Sequence, residues 1–277
     1  MKSVREDILK HKWPLQEIAA FKLDENDNRL WRYMGIDKFL ALLSTSKIHF
    51  TRIDQFEDNW EGAMPASTQE EFKSFINTMN KIIRNRDKGR DRNLFENYEQ
   101  IMKKNKFFLF ASCWHCNEFE SAAMWRLYGQ YDSNVAIVTS KDKMYSCLSW
   151  PNGTFMSIGK VKYIDYNIEG FNFNNLVNST YHKRKSFEHE NEIRLVYNDL
   201  SYFQQALASD DIGFESVLTN VPLGIDIDVN LNDFIERIKV SPVAPQWYVD
   251  VIKNICGKYG VSENIVHKSD LYSDQII

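Results

Sequence analysis

The sequence predicts an α+β fold, with a central antiparallel or mixed sheet, flanking helices and a helical insertion at about residues 67–106. Three observations point there. Segments of strand character and segments of helical spacing follow one another irregularly, unlike the regular βαβ alternation of a doubly wound sheet. Apolar residues make up 43% of the 277 residues, with 7 Trp, 13 Tyr and 18 Phe, which is enough to bury a sizeable core. No internal repeat, low-complexity tract or Pro/Gly/Ser linker divides the chain, so residues 1–277 read as one domain.

Arg29 to Met34 has the composition of a first strand. In the next segment Ile36, Phe39, Leu40, Leu42 and Leu43 recur at helical spacing, and Asp37 favours the first turn. Lys47 to Ile53 is a second strand, followed by an acidic and aromatic loop from Asp54 to Gly62. In that loop Phe56 and Trp60 are expected to pin the chain. Glu57, Asp58 and Glu61 turn to polar partners, at least one of them an arginine, Arg32 or Arg194. Polar helices are expected at Thr68 to Asn85 and Asn93 to Lys104, with a turn at Lys88-Gly89-Arg90. Further strands are expected at Phe107 to Cys113, Asn134 to Thr139, Phe155 to Tyr166 (interrupted at Gly159), Gly224 to Val229 and Ile235 to Val240. Helices are expected at Glu120 to Tyr128, Asn175 to Lys185, Ser201 to Ala208 and Gln246 to Tyr259, the last opened by Pro242 and Pro245 and closed by Gly260.

Composition narrows the function. No apolar run approaches the roughly 18 residues of a membrane span, and the charged start lacks a signal-peptide core, so the expectation is a cytoplasmic protein without a membrane partner. Four scattered cysteines make no disulfide framework. Cys113 and Cys116 have the spacing of a metal knuckle, but no second Cys/His pair completes four ligands, so no metal is firmly implied. Glycine-rich phosphate loops of the Rossmann and P-loop kinds are absent. The net charge of −4 conceals nine basic residues between Lys81 and Lys106. Those helices are either a solvated face or a surface for a nucleic-acid or protein acceptor, and they lack the interleaved aromatics that stack bases.

The segment from His189 to Tyr197 carries the most chemistry. From Ile193 onward it is a strand, and alternation would put Glu190, Glu192 and Arg194 on one face with Ile193 and Leu195 on the other. Carboxylates two residues apart on a strand lie about 6–7 Å apart and disturb each other's ionisation. Such a triple suits catalysis on a sugar-like cation, or a salt ladder on a sheet face.

Four groups of residues together resemble the bacterial domain-of-unknown-function 2971 family. They are Leu30-Trp31-Arg32-Tyr33 with the helix after it, Ile48-His49-Phe50 with Phe56 to Gly62, Ser112-Cys113-Trp114 with Met124 to Tyr128, and Lys185 to Glu188 with Glu190 to Arg194. The chain departs from that family's pattern at Ile53-Asp54-Gln55 and at Asn134, where glycine is usual. A second resemblance is to ADP-ribosyltransferases, in the order Arg32, Ser112, Glu190/Glu192.

That second resemblance implies cleavage of the nicotinamide–ribose bond of NAD, by a transferase or a glycohydrolase. Glu192 would stabilise the oxocarbenium-like state and Glu190 would orient or deprotonate the acceptor. Arg32 would hold a phosphate or ribose, with Ser112, Arg194, Trp125 and Tyr128 completing the NAD site. A structural reading competes at several of these positions: the aromatics as core, and Arg32 as the ion-pair partner of Glu57 or Asp58. The first family hints at a setting in phage defence or as a toxin. Two other functional readings stay open. One is a metal-dependent nuclease or phosphodiesterase using Asp58, Glu61, Glu190 and Glu192. The other is a regulatory or binding module without catalysis.

Overall fold

The computed structural model describes residues 12–25, 27–84, 89–130, 132–209 and 211–273, with backbone alone for 83–84, 89–94, 97, 211 and 212. In chain order the strands are β1 (Gln16–Glu17), β2 (Arg29–Met34), β3 (Lys47–Arg52), β4 (Leu109–Cys116), β5 (Val135–Ser140), β6 (Leu148–Ser149) and β7 (Thr154–Lys160). They continue as β8 (Lys162–Ile164), β9 (His182–Arg184), β10 (Glu192–Asp199), β11 (Gly224–Val229), β12 (Arg237–Val240) and β13 (Val266–Lys268). The helices are α1 (Ile36–Thr45), α2 (Ala66–Arg84), α3 (Gly89–Lys103), α4 (Ala122–Leu127) and α5 (Lys141–Cys147). After these come α6 (Leu200–Ala208), α7 (Asp211–Asn220), α8 (Leu231–Phe234) and α9 (Gln246–Lys258).

The main sheet runs β1-β7-β10-β4-β2-β5-β12-β13, and a branch adds β3, β11 and β6. Pairing is antiparallel apart from β1 with β7 and β12 with β13, while the small β8–β9 pair is also parallel. This is the α+β architecture with a mixed sheet, and it places the strands of Arg32, Ser112 and Glu192 side by side.

The branch point decides where a ligand could go. β4 pairs with β3 at Ala111 and Phe110, then with β2 at Cys116 and His115. Between these two contacts β4 lacks a strand partner on that edge at Ser112, Cys113 and Trp114. β2 and β3 therefore splay apart like the arms of a fork, and α1, the link between them, spans the opening.

Side-chain alternation builds the core on one face. Ile193, Leu195 and Tyr197 of β10 join Phe110 and Trp114 of β4, Leu30 and Met34 of β2, and Val135 and Ile137 of β5 in the main cluster. Smaller clusters cover the other face, one around Tyr181 and Val196 and another around Trp31, Tyr33 and Trp125. The insertion adds its own, with Phe72 and Ile76 of α2 against Met102 of α3.

Several expected boundaries shift for identifiable reasons. The helix expected at Asn175 to Lys185 is a single 3₁₀ turn, Asn178–Tyr181, followed by β9. Asn178, Ser179 and Thr180 are weak helix formers, and the Thr180 hydroxyl bonds back to the Val177 carbonyl. The long strand expected at Phe155 to Tyr166 breaks at Val161, whose N–H is taken by the Glu192 carbonyl. Gly159 lies unbroken within β7, where an added Cβ would meet Phe21 and Tyr181 at 2.9 Å each. The strand expected at Phe107 to Cys113 starts later and runs on to Cys116, after a 3₁₀ turn at Asn105–Phe107. Gly89 and Arg90 lie in α3 instead of a turn, and residues 85–88 fall outside the described residues. The segments α5, α7 and α8 carry too little periodicity to stand out in the sequence.

Candidate functional site

A cleft of about 460 Å³ opens in the fork. Its floor is β4, through Ala111, Cys113, Trp114 and His115; its walls are β2 and β3, and α1 contributes Lys38 and Ala41. This volume is in the range of small-molecule sites.

By register, Arg32 and Glu192 leave the sheet on opposite faces. Glu192 stands opposite His115, and His115 opposite Trp31, so those three share a face that Arg32, one residue on, does not. In a closed sheet that would separate them. Because β2 has parted from β4 here, both residues line the one cleft.

Arg32 is held entirely by neutral groups. Its Nη1 donates to the Ser112 hydroxyl at 3.0 Å, its Nη2 to the His49 carbonyl at 3.2 Å, and the guanidinium stands 5.5 Å from the centre of the Trp114 ring. Among the described residues no carboxylate pairs with it, and burial lowers its pKa. Three other arginines of the fold have acidic partners: Arg52 with Asp54, Arg184 with Asp58, and Arg194 with Glu61 and Glu192. The expected pairing of Arg32 with Glu57 or Asp58 is therefore corrected, whereas the loop does supply an acid, Glu61, to Arg194.

Behind the cleft lies a buried charge cluster. Arg194, fully buried, donates to both oxygens of Glu61 (2.8 and 2.9 Å), to Glu192 Oε2 (2.6 Å) and to the Thr180 carbonyl (2.7 Å). Lys183 donates to Glu190 Oε2 at 2.5 Å and Glu192 Oε1 at 2.7 Å, and lies 3.3 Å from Glu61. Burial would raise the Glu192 carboxyl, but Arg194, a hydrogen bond from Glu190 and Lys183 hold it well below the usual range. Burial and the adjacent Glu192 carboxylate push Glu190 the other way, up to about 8. Near neutral pH Glu190 thus keeps its proton, and two carboxylates face two cations. Because the two carboxyls interact, the proton of the pair rests on Glu190 while Glu192 stays ionised.

Glu190 reaches this cluster by an unexpected route. It sits in the 3₁₀ turn Lys185–Glu190, and Asn191 follows in the left-handed region at φ 39°. The strand begins only at Glu192, so alternation does not place Glu190; the turn does.

Other expected residues divide between cleft and core. Tyr128 lines the cleft, and burial raises its phenol. Trp125 does not: it is fully buried against Tyr33, with Nε1 donating to Glu120 Oε2 at 2.9 Å, so its ring has no free face for nicotinamide. Arg194 is committed to Glu61 and Glu192 and lies behind the cleft wall. Ser112 acts by holding Arg32 and also accepts from Trp114 Nε1 at 3.1 Å. Asn134 stands at the turn after α4, where its amide donates to the carbonyls of Trp125 and Tyr128.

The carboxylates of the metal readings have other partners. Asp58 goes to Arg184, while Glu61, Glu190 and Glu192 surround Lys183, whose ammonium stands where a shared cation would be. Cys113 and Cys116 point to opposite faces of β4, and the Cys116 thiol donates to Asp27. No group of three metal-ligating side chains occurs among the described residues. In the insertion Lys103 pairs with Glu99 and Lys104 with Glu215, while the side chains of Arg84, Arg86, Lys88, Arg90 and Arg92 lie outside the described residues.

The cleft also contains residues that the sequence reading did not assign. His49 and Asp226 meet across β3 and β11, with His49 Nδ1 2.8 Å from Asp226 Oδ1. His115, whose imidazole pKa burial lowers, uses Nδ1–H to donate to the Glu190 carbonyl at 2.6 Å. The partners of each pair lie far apart along the chain, and no local motif announces either.

Fold and cleft together define an α+β protein with a cleft of about 460 Å³ in a forked sheet. The family model DUF2971, described as a protein of unknown function, matches residues 124–195, from within α4 to within β10. That match supports the resemblance to the domain-of-unknown-function 2971 family and carries no activity with it. No curated protein and no solved structure matches the chain. Among the described residues no helix is long and apolar enough to cross a membrane.

Proposed function

We propose that the fork cleft binds a phosphate-bearing small molecule of the nucleotide class and cleaves its glycosidic bond, with NAD the first substrate to test. The observation that carries this is Arg32: a guanidinium in a cleft, hydrogen-bonded to neutral acceptors and lacking an acidic partner among the described residues. A half-buried cation without a counter-charge is costly unless something anionic completes it. Phosphate does so well, because guanidinium meets its oxygens in a planar fork. Glu192, on the same cleft, supplies negative charge toward a developing oxocarbenium ion.

Glu192 also favours a second reading. Each of its oxygens already accepts from a cation, Lys183 or Arg194, which reduces the charge it offers a substrate. In that reading the cleft holds its anion without turning it over, as a binding module would.

Thermal-shift titration with NAD, ADP-ribose and inorganic phosphate tests the anion site, since a ligand bound only to the native state raises Tm. Nicotinamide release from NAD then separates catalysis from binding. The glycosidic reading expects release, and loss of on the order of 100- to 1000-fold in Glu192→Gln. A Tm shift without release selects the binding module. No shift with any phosphate compound removes the anion site itself.

A further inference from the structure

We infer that His49, oriented by Asp226, is the proton-accepting catalytic residue of the fork cleft; this rests on the cleft being a glycosidic site. The sequence assigns that task to Glu190, but Glu190 holds its own proton, is bound by Lys183 and does not line the cleft. His49 does line it, as does Asp226.

The geometry is that of an oriented imidazole. Asp226 carboxylate accepts from Nδ1–H at 2.8 Å, which leaves Nε2 with a bare lone pair. The ring lies along β11 over Gly224, where an added Cβ would come within 2.5 Å of Cε1 and 2.6 Å of Nε2. Glycine thus provides the seat for this ring orientation. His49 is also tied to the anion site through its backbone, because its carbonyl accepts from Arg32 Nη2. Both residues line the one cleft, so a phosphate held at Arg32 and a base at Nε2 would act on the same bound molecule. The neighbouring pair on these strands, Lys47 with Asp228, lies at 3.6 Å.

The step balances simply. As a water oxygen bonds to the anomeric carbon of the ribose, its proton passes to His49 Nε2. The carbon–nitrogen bond breaks, its electron pair leaves with nicotinamide, and the imidazolium later releases the proton to solvent. NAD and water give ADP-ribose, nicotinamide and a proton.

Two measurements test this. In the first, diethyl pyrocarbonate labels the six histidines of the intact protein and mass spectrometry follows each site. His49 is expected to react faster than the exposed His189 and His267, to slow in Asp226→Asn, and to be protected by ADP-ribose. An unprotected His49, or one indifferent to Asp226→Asn, overturns the inference. In the second, nicotinamide release from NAD is expected to fall on the order of 100-fold in kcat in His49→Gly. KM should stay within about threefold of wild type and added imidazole should restore turnover. Gly224→Ala, which displaces the ring and crowds the Phe50 carbonyl, is expected to give a smaller loss in the same parameter. Full kcat in His49→Gly overturns the assignment. Wild-type protein that releases no nicotinamide overturns the glycosidic reading instead, and the labelling then judges the His49–Asp226 pair by itself.

Discussion

Arg32 and Arg194 are both arginines of one sheet, on the strands β2 and β10 that flank β4, and they do opposite things. Arg194 has two carboxylates and a carbonyl around it, so it is a structural cation. Removing one partner leaves a buried charge uncompensated, and Glu61→Ala is expected to cost about 3–5 kcal/mol in urea unfolding. The exposed Glu57 of the same loop serves as the control, with Glu57→Ala expected within about 0.5 kcal/mol of wild type. Arg32 should behave in reverse. Arg32→Gln removes a cation that lacks an acidic partner among the described residues, so Tm is expected to hold or rise while affinity for inorganic phosphate or ADP-ribose falls at least 10-fold. A fall in Tm with unchanged affinity would make Arg32 structural too.

At the scale of elements, what positions the site is the parting of β2 from β3. β7 supports the strand behind it, and its Gly159 lets Phe21 and Tyr181 pack flat against the sheet. Gly159→Ala is expected to destabilise by about 1–3 kcal/mol through overpacking, read as a shift in urea midpoint with unchanged slope. The limits of these elements were legible to different degrees. α1 and β2 match the sequence reading because apolar spacing and strand composition are properties of the local segment. β9 lies within an expected helix, because it forms by parallel pairing with β8, a contact invisible in the segment itself. The same turn-and-strand arrangement delivers Lys183 to the three glutamates, so missing the strand meant missing the lysine.

For the molecule as a whole, the buried cluster makes stability depend on pH. Burial and Glu192 raise the Glu190 carboxyl to about 8, so the folded chain keeps a proton that the unfolded chain releases at about pH 4. That stabilisation is complete below the unfolded value and is lost as pH rises through about 8. Glu192 works in the opposite direction. Its depressed carboxyl contributes above the unfolded value, and the contribution is lost as pH falls through the folded one. Tm should therefore decline between about pH 5 and about pH 8, and Glu190→Gln, which keeps the hydrogen-bonding shape without the ionisation, should flatten that limb. An unaltered limb in this variant would mean that Glu190 is ionised throughout.

The α+β class, most strands and helices, the absence of glycine-rich phosphate loops and the concentration of charge between Glu190 and Arg194 were legible in the sequence. These depend on local composition and periodicity, which a segment carries wherever it lies. Only the tertiary structure decided which of those charges are spent and which are available. Glu61 reaches Arg194 from 133 residues away, and His49 meets Asp226 across 177. Whether a charged group is neutralised depends on what long-range register brings beside it and how far water is excluded. For that reason the fork, with Arg32 standing in it without an acidic partner among the described residues, belongs to the fold and not to any motif.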